Sequence, residues 1–344
     1  MCTFVMDGRC YCTQSYGGIQ RYKLEILERL EDELKYTDNI RVEVLYPSHL
    51  QLYIHVFEKI KFIPIDQKKK KFATQIIPQY IKDNNGIFID FGIAWSIGKN
   101  GIVTLHDARQ LTQKYDPIVE RLMNTIKFQY DALVSKYIVT VSEFQKKEIE
   151  SKVHIKDEKI KVIGCGWEHI NKIHEDDKIF QKYKQINKNN FFYAMGSQYK
   201  HKNYAWIESV AEKNPNSQFV VAGKKVRDGC ITERRNIIYV GTVTDAESKS
   251  LMKNAKAFIQ PSKYEGFGIP PLEALACNAK VIVSDIPVFH EIYGESVYYI
   301  DPDQYDVDLN ELLMKKIQDN RAVLQKYTWK NAAKAWYKLL KSYE

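Results

Sequence analysis

The chain has 344 residues, 44% of them hydrophobic and 27% charged, and carries a formal net charge of +8. That length is too great for one ordinary core and predicts two domains, and the composition is that of a soluble globular protein rather than a disordered or fibrous one. No apolar run reaches the about eighteen residues of a membrane helix, and the opening M-C-T-F-V-M-D-G has no secretory-leader pattern, so a cytoplasmic protein is expected.

Lysines are spread along the sequence, with one cluster at Lys68 to Lys71 in a segment that reads as loop or exposed helix. The sequence offers no recognition helix, stacking aromatic motif or zinc finger, which argues against a nucleic-acid partner. The cluster reads first as a solvated surface; its functional alternative is peripheral contact with an anionic membrane, at the inner membrane face. The six cysteines, Cys2, Cys10, Cys12, Cys165, Cys230 and Cys277, are scattered, and Cys10-x-Cys12 has the wrong spacing for a zinc site, so buried free thiols and no metal are expected.

In chain order, Cys2 to Met6 reads as a buried strand. It leads into the loop Tyr16-Gly17-Gly18-Ile19-Gln20-Arg21-Tyr22 and then a helix, because Tyr22, Ile26, Leu27, Leu30 and Leu34 recur at three- and four-residue steps. A Gly-Gly pair alone is more often a turn than a site, and Arg21 reads either as a phosphate contact or as helix surface. Arg41 to Tyr46 and Gly86 to Phe91 are further strands, with no clear pattern between Pro47 and Tyr80. Gly101 to Asp107, G-I-V-T-L-H-D, is a buried strand ending in a polar pair. Strand ends are where parallel α/β proteins place ligands, although a lone histidine there also serves structure. Tyr137 to Val141 is a strand, Ser142 an N-cap for a helix over Glu143 to Ile149, and Lys159 to Ile163 the last strand of this half. The polar stretch His169 to Asn190 reads as the interdomain linker, with at least one helical turn in it.

The second half restarts with a strand at Asn190 to Met195, followed by the turn Gly196-Ser197-Gln198-Tyr199-Lys200-His201-Lys202-Asn203 and a helix. Strands follow at Gln218 to Gly223, Ile237 to Gly241, Ala257 to Gln260, Lys280 to Asp285 and Val297 to Asp301, and the alternation with helices predicts parallel sheets. The most informative stretch is P-S-K-Y-E-G-F-G-I-P-P-L-E-A-L-A-C-N, Pro261 to Asn278. Gly266 and Gly268 let the backbone approach a ligand, and Pro270 and Pro271 suit a first helical turn whose free amides favour a phosphate. Glu265 and Glu273 bracket that turn, and two carboxylates so placed suit sugar and ribose hydroxyls. Glu273 also has a bland reading, as a carboxylate favouring the helix dipole. Asp301-Pro302-Asp303 and Asp306-x-Asp308 read as a turn and a helix start rather than metal-binding pairs, and Glu291 as helix surface. After Thr328, Trp329, Ala332, Ala333, Trp336, Leu339 and Leu340 share one face of a final helix.

The string E-G-F-G-I-P-P-L-E resembles the E-x7-E signature of glycosyltransferase family four. Other stretches resemble motifs of the same family: G-G-I-Q-R-Y, the strand ending His106-Asp107, I-V-T-V-S-E-F-Q, the turn Val240-Gly241-Thr242, F-H-E-I-Y-G with Glu291, and G-S-Q-Y-K-H-K-N, in which His201 stands where arginine is usual. The resemblance implies an α/β fold of the GT-B type, with two Rossmann-like domains facing a cleft and a last helix crossing back to the first domain. It implies an acceptor domain over residues 1–172 with 328–344, and a donor domain over 173–327. The implied activity is retaining, metal-independent transfer of a hexose from a nucleotide sugar to a glycan or lipid-linked glycan. GDP-mannose is the preferred donor, with UDP- and dTDP-sugars as alternatives, and no cofactor is implied. His106, Glu265 and Lys202 would be catalytic. Gly17, Gly18, Arg21, Gly196, Lys200, His201, Val240, Gly266, Phe267, Gly268, Ile269, Leu272 and Glu273 would bind the donor. Two rivals stay open at this point: a glycoside hydrolase, and a non-catalytic nucleotide-sugar-binding protein.

Overall fold

The computed structural model describes residues 1–344 except 15, 16, 56, 68, 69, 93, 94, 113–117, 226–231 and 233, and the side chain at 112. Tyr16, Lys68, Lys69 and Cys230 of the expectations above therefore lie outside the described residues. The chain divides into two compact units, Met1–Cys165 with Trp329–Glu344, and Gly166–Thr328. The residues 166–172, expected with the N-terminal half, fall in the second unit.

In the first unit the strands are β1 (Cys2–Asp7), β2 (Ile40–Pro47), β3 (Ile60–Ile65), β4 (Ile87–Phe88), β5 (Ile102–Thr104), β6 (Tyr137–Thr140) and β7 (Ile160–Val162). They pair in the orders β3-β2-β1-β4 and β5-β6-β7, all parallel. A single parallel bridge between Ile89 and Ile102 joins the two rows. The second unit holds β8 (Phe191–Met195), β9 (Gln218–Ala222), β10 (Ile237–Gly241), β11 (Ala257–Gln260), β12 (Val281–Ser284) and β13 (Tyr298–Ile300), ordered β10-β9-β8-β11-β12-β13 and again parallel. Both orders reverse direction beside the unit's first strand, which creates a crevice at the carboxyl ends of the strands flanking that point.

The periodic segments fold as their patterns demand. Tyr22, Ile26, Leu27, Leu30 and Leu34 are all buried along the helix Gly18–Leu34. The final helix, Trp329–Lys341, buries its expected face within the same unit, where Trp336 Nε1 donates to the Tyr22 hydroxyl at 2.9 Å. Ser142 caps the helix Glu143–Glu150 by accepting from the Gln145 amide, and Asp308 caps Leu309–Leu312.

Several expectations are corrected. The unread stretch after Pro47 holds β3, a wide turn at Phe72–Ile76 and the helix Ile77–Asp83. Among the described residues β3 pairs with β2 alone, and such an edge position tolerates Pro64, a residue that argues against a strand when read from sequence. β4 keeps only two residues of the expected Gly86 to Phe91, because beyond Ile89 the chain turns and Asp90 Oδ2 accepts the Gly92 amide. The helix expected at the two prolines spans Ile269–Ala276, with both of them in its first turn as expected, where missing amides cost nothing. Cys165 and Cys277 are buried, but Cys2, Cys10 and Cys12 are half-buried. The stretch read as linker has its expected helical turn, at Lys178–Lys182, but it also carries a tight turn at Glu168–Lys172 and buries His169.

Candidate functional site

In the second unit, β8 and β11 are the neighbours at which the strand order reverses, so the loops leaving them share one crevice. The loop after β8 starts at Gly196, whose φ of +133° only glycine adopts readily. Gly223 packs directly against it, and a Cβ there would sit 1.9 Å from the Gly196 carbonyl oxygen. The Tyr204 hydroxyl donates to that same oxygen at 3.1 Å. A tight turn over Lys200–Lys202 follows and ends at Asn203, held in a left-handed conformation with Nδ2 donating to the Pro302 carbonyl at 2.9 Å. Lys200 is exposed, while His201 and Lys202 are half-buried.

The loops are tied together by charge. Lys202 Nζ lies 2.7 Å and 2.9 Å from the two carboxylate oxygens of Glu265, and the Lys263 amide donates to the His201 carbonyl at 2.8 Å. Glu265 is buried and also accepts from Gln260 Nε2 at 2.6 Å and Ser262 Oγ at 2.7 Å. Burial pushes its carboxyl up, but the charge of Lys202, the hydrogen bonds from Lys202 and Ser262, and the charge of His201 outweigh it. The group is held below the usual carboxylate range and is ionised at neutral pH.

The helix Ile269–Ala276 rises from this loop. Gly268 precedes it at φ +96°, and a Cβ there would meet Phe289 at 2.6 Å, so the turn fits no other residue without movement. Its carbonyl accepts from the Tyr293 hydroxyl. Gly266 and Ile269 are half-buried, whereas Phe267 packs edge-on against Tyr327 and Leu272 is fully buried beneath the helix. Pro270 and Pro271 carry no N–H, so the amides at this end without a partner within the helix are those of Gly268 and Ile269, and they make it electropositive. Glu273, one turn in, does not stand alone: His169 Nε2 lies 2.7 Å from its Oε1. The segment bearing His169 is fastened by Trp167 Nε1 to the Leu324 carbonyl at 2.9 Å and by Lys249 Nζ to the carbonyls of Ile170 and Ile173. Val240 is buried, and its carbonyl accepts from the Tyr183 hydroxyl at 3.1 Å.

Gly17, Gly18, Arg21 and His106 belong to the first unit. Gly17 caps the helix Gly18–Leu34 with extended backbone and open space around its Cα, and Arg21 lies 3.8 Å from Glu25. His106 follows β5, and its ring meets Tyr22 edge-on at 4.9 Å, so the first turns of the helix and the histidine form one group. His106 Nε2 sits 2.9 Å from the Phe91 carbonyl, which can only accept, so Nε2 carries the proton and Nδ1 presents a lone pair. Burial lowers the imidazole from 6.5 to about 4, and it is neutral at physiological pH.

Sequence reasoning missed five of these residues. Gln260 and Ser262 hold Glu265, and His169 holds Glu273. In the first unit Lys23 Nζ bonds Asp90 Oδ1 at 2.9 Å where β4 ends. A signal existed for Asp90, the polar residue closing the apolar run I-F-I-D, and for Ser262, two residues past the end of β11. None existed for His169, 104 positions from its partner.

The parallel sheets of the two units give the fold, which is that of GT-B glycosyltransferases. Sucrose-phosphate synthase from Thermosynechococcus elongatus superposes with a TM-score of 0.70 at 12% identity, covering 99% of this chain and 98% of that one. Residues 175–336 match the family Glycosyl transferases group 1. The chain is 30% identical over 215 residues to O-antigen chain mannosyltransferase RfbU of Salmonella typhimurium, a match spanning 60% of this chain and 58% of that relative's length. It is 23% identical to O-antigen chain mannosyltransferase B of Escherichia coli over 91% of this chain and 93% of that one.

Proposed function

We propose that this protein is a retaining glycosyltransferase that moves a hexose from a nucleotide sugar, by preference GDP-mannose, to a glycan or lipid-linked glycan, without a metal ion. The observation that carries the proposal is the ionised, buried Glu265 held by Lys202 beside the electropositive start of the helix Ile269–Ala276. An anion-favouring helix end, a cation and a fixed carboxylate together suit a diphosphate joined to a polyhydroxylated sugar. The mannosyltransferase relatives support the choice of sugar.

In this reading Glu265 accepts from the sugar hydroxyls, and the amides from Gly266 to Ile269 orient the sugar. Glu273, steadied by His169, accepts from the ribose. Lys202, with Lys200 and His201, stabilises the charge that grows on the diphosphate as its bond to the anomeric carbon breaks. The acceptor oxygen bonds that carbon on the same face, and its proton passes to the departing diphosphate oxygen. Gly17, Gly18 and Arg21 approach the diphosphate, Gly196 and Val240 shape the nucleotide side, and His106 offers Nδ1 to a sugar hydroxyl. The protein works in the cytoplasm, at the inner membrane face where a lipid-linked acceptor resides. Transfer assays with GDP-, UDP- and dTDP-sugars test this directly. Turnover with one donor, abolished in Glu265→Ala, supports it; release of sugar from a glycan without nucleotide, or donor binding without turnover, refutes it.

A further inference from the structure

A single peptide group governs what His106 can do. Asp90 and Phe91 follow β4, and the backbone of Asp90 is anchored to β5 on both sides. Its amide donates to the Ile102 carbonyl at 3.0 Å, and its carbonyl accepts from Thr104 Oγ1 at 2.8 Å. The next peptide, Phe91 to Gly92, is engaged at both ends. Its N–H donates to Asp90 Oδ2 at 2.9 Å, and its C=O accepts from His106 Nε2 at 2.9 Å. A trans peptide is planar with its N–H and C=O pointing in opposite directions, so the carboxylate that fixes one end also aims the other. A carboxylate on the N–H also polarises the carbonyl, which makes it a stronger acceptor for an imidazole N–H.

The carboxylate is itself held. Asp90 is 1% exposed, and its Oδ1 takes the Lys23 ammonium at 2.9 Å. A Cβ at Gly92 would fall 2.1 Å from Lys23 Cε and 2.5 Å from its Nζ, so a side chain there would displace the ammonium from Asp90. Lys23 stands next to Tyr22 on the helix Gly18–Leu34, and Tyr22 is the residue whose ring meets His106 edge-on. The Tyr22 hydroxyl donates to the Ile163 carbonyl at 3.2 Å and accepts from Trp336 Nε1 at 2.9 Å, which fixes that ring. One helix thus grips both the imidazole and the carboxylate that aims its partner. A buried ion pair is weak evidence for stability, and the evident result of this one is a carbonyl fixed in direction.

We propose that Lys23 and Asp90 are positioning residues of the transfer reaction: through the Phe91–Gly92 peptide they hold His106 as its Nε2–H tautomer and leave the Nδ1 lone pair for a hydroxyl of the donor sugar. The opposite tautomer would offer that hydroxyl a donor in place of an acceptor. This rests on the role given to His106 above and adds what enforces it.

The test reads the ring nitrogens by NMR of the full chain, carrying isotopically labelled histidine, at pH 7, where this imidazole is neutral. His106→Gln identifies its signals among the eight histidines. The wild type should show one tautomer, protonated at Nε2. Two double variants remove both buried charges together and so strand neither. Lys23→Met with Asp90→Asn keeps an oxygen for the Gly92 amide and should keep that tautomer. Lys23→Met with Asp90→Leu fills the same space without an acceptor. It should give a mixture of tautomers and lower kcat by up to about a hundredfold, with the donor KM nearly unchanged. In the asparagine variant the weaker hold on the peptide should move the His106 Nε2 proton signal upfield, and this reading decides if the leucine variant does not fold. A wild-type ring protonated at Nδ1 overturns the proposal. So does a folded leucine variant with an unchanged tautomer, an asparagine variant whose proton signal stays put, or mixed tautomers with undiminished kcat. Because the spectra need no donor, the expected tautomers in a chain that transfers no sugar would sink the transferase reading while supporting this hold on His106.

Discussion

The two units repeat one plan, parallel strands whose order reverses beside the first strand, with loops at the carboxyl ends, yet they furnish those loops in opposite ways. In the second unit the loop residue is a carboxylate kept ionised by an ammonium and two neutral donors. In the first it is an imidazole kept neutral by burial and pinned by a backbone carbonyl. The glycine turns differ too. Gly268 is wedged against Phe289 at positive φ, while Gly17 caps its helix in open space. The same topology thus yields one rigid, charged site and one neutral site with a roomier turn. On the proposed reading, the fixed charges around Glu265 suit a diphosphate-linked sugar, and the neutral imidazole of His106 suits a sugar hydroxyl.

The largest expected effect breaks the charged site. Glu265→Ala should lower transfer by about a hundredfold to a thousandfold, as loss of one preorganised electrostatic contact does. Because the same change strands the Lys202 ammonium, steady-state rates should be read beside a denaturation curve. A variant that folds and keeps full activity would remove Glu265 from the site.

A second effect separates the two units by pH. His106 is held at about 4 in the folded chain against 6.5 unfolded. Its contribution is complete above pH 6.5 and is lost as pH falls toward 4, because the unfolded chain takes up the proton first. The loss is about 2 kcal/mol by pH 5. Glu265, lowered from 4.5, keeps its contribution until pH drops below that value. Urea midpoints at pH 7.5 and pH 5 should therefore converge in His106→Gln relative to the wild type. An unchanged gap would mean the imidazole is not held neutral.

The glycine turns give the finest comparison. Gly268→Ala should cost about 1–3 kcal/mol, from positive φ and the contact with Phe289, whereas Gly17→Ala should cost only a few tenths. Equal costs in thermal unfolding would erase the contrast between a wedged and an open turn.

Much of this was legible from sequence wherever local pattern and final surroundings agree. The run E-G-F-G-I-P-P-L-E marks a turn, a helix start and two carboxylates in nine residues, and the face of the last helix follows from spacing alone. What escaped was set by tertiary structure. β3 carries Pro64, which an edge strand tolerates and which reads from sequence as a strand breaker. His169 lies in a polar stretch that looks like a linker until the fold carries it to Glu273, and Lys23 meets Asp90 across 67 positions. The helix Ile118–Val134 misleads in another way, since a stripe of aliphatic residues ordinarily predicts the buried face, and here it is the exposed one.

The central claim is that the second unit holds a nucleotide sugar between Glu265, Glu273 and the start of the helix Ile269–Ala276. Thermal unfolding with GDP, UDP, dTDP and ADP, for the wild type and Glu273→Ala, tests it most directly. One nucleotide, with GDP favoured, should raise the melting temperature by about 5 °C or more at a hundredfold excess over Kd, and the shift should vanish in the variant. No shift with any of the four, or a shift that Glu273→Ala leaves intact, would contradict the account.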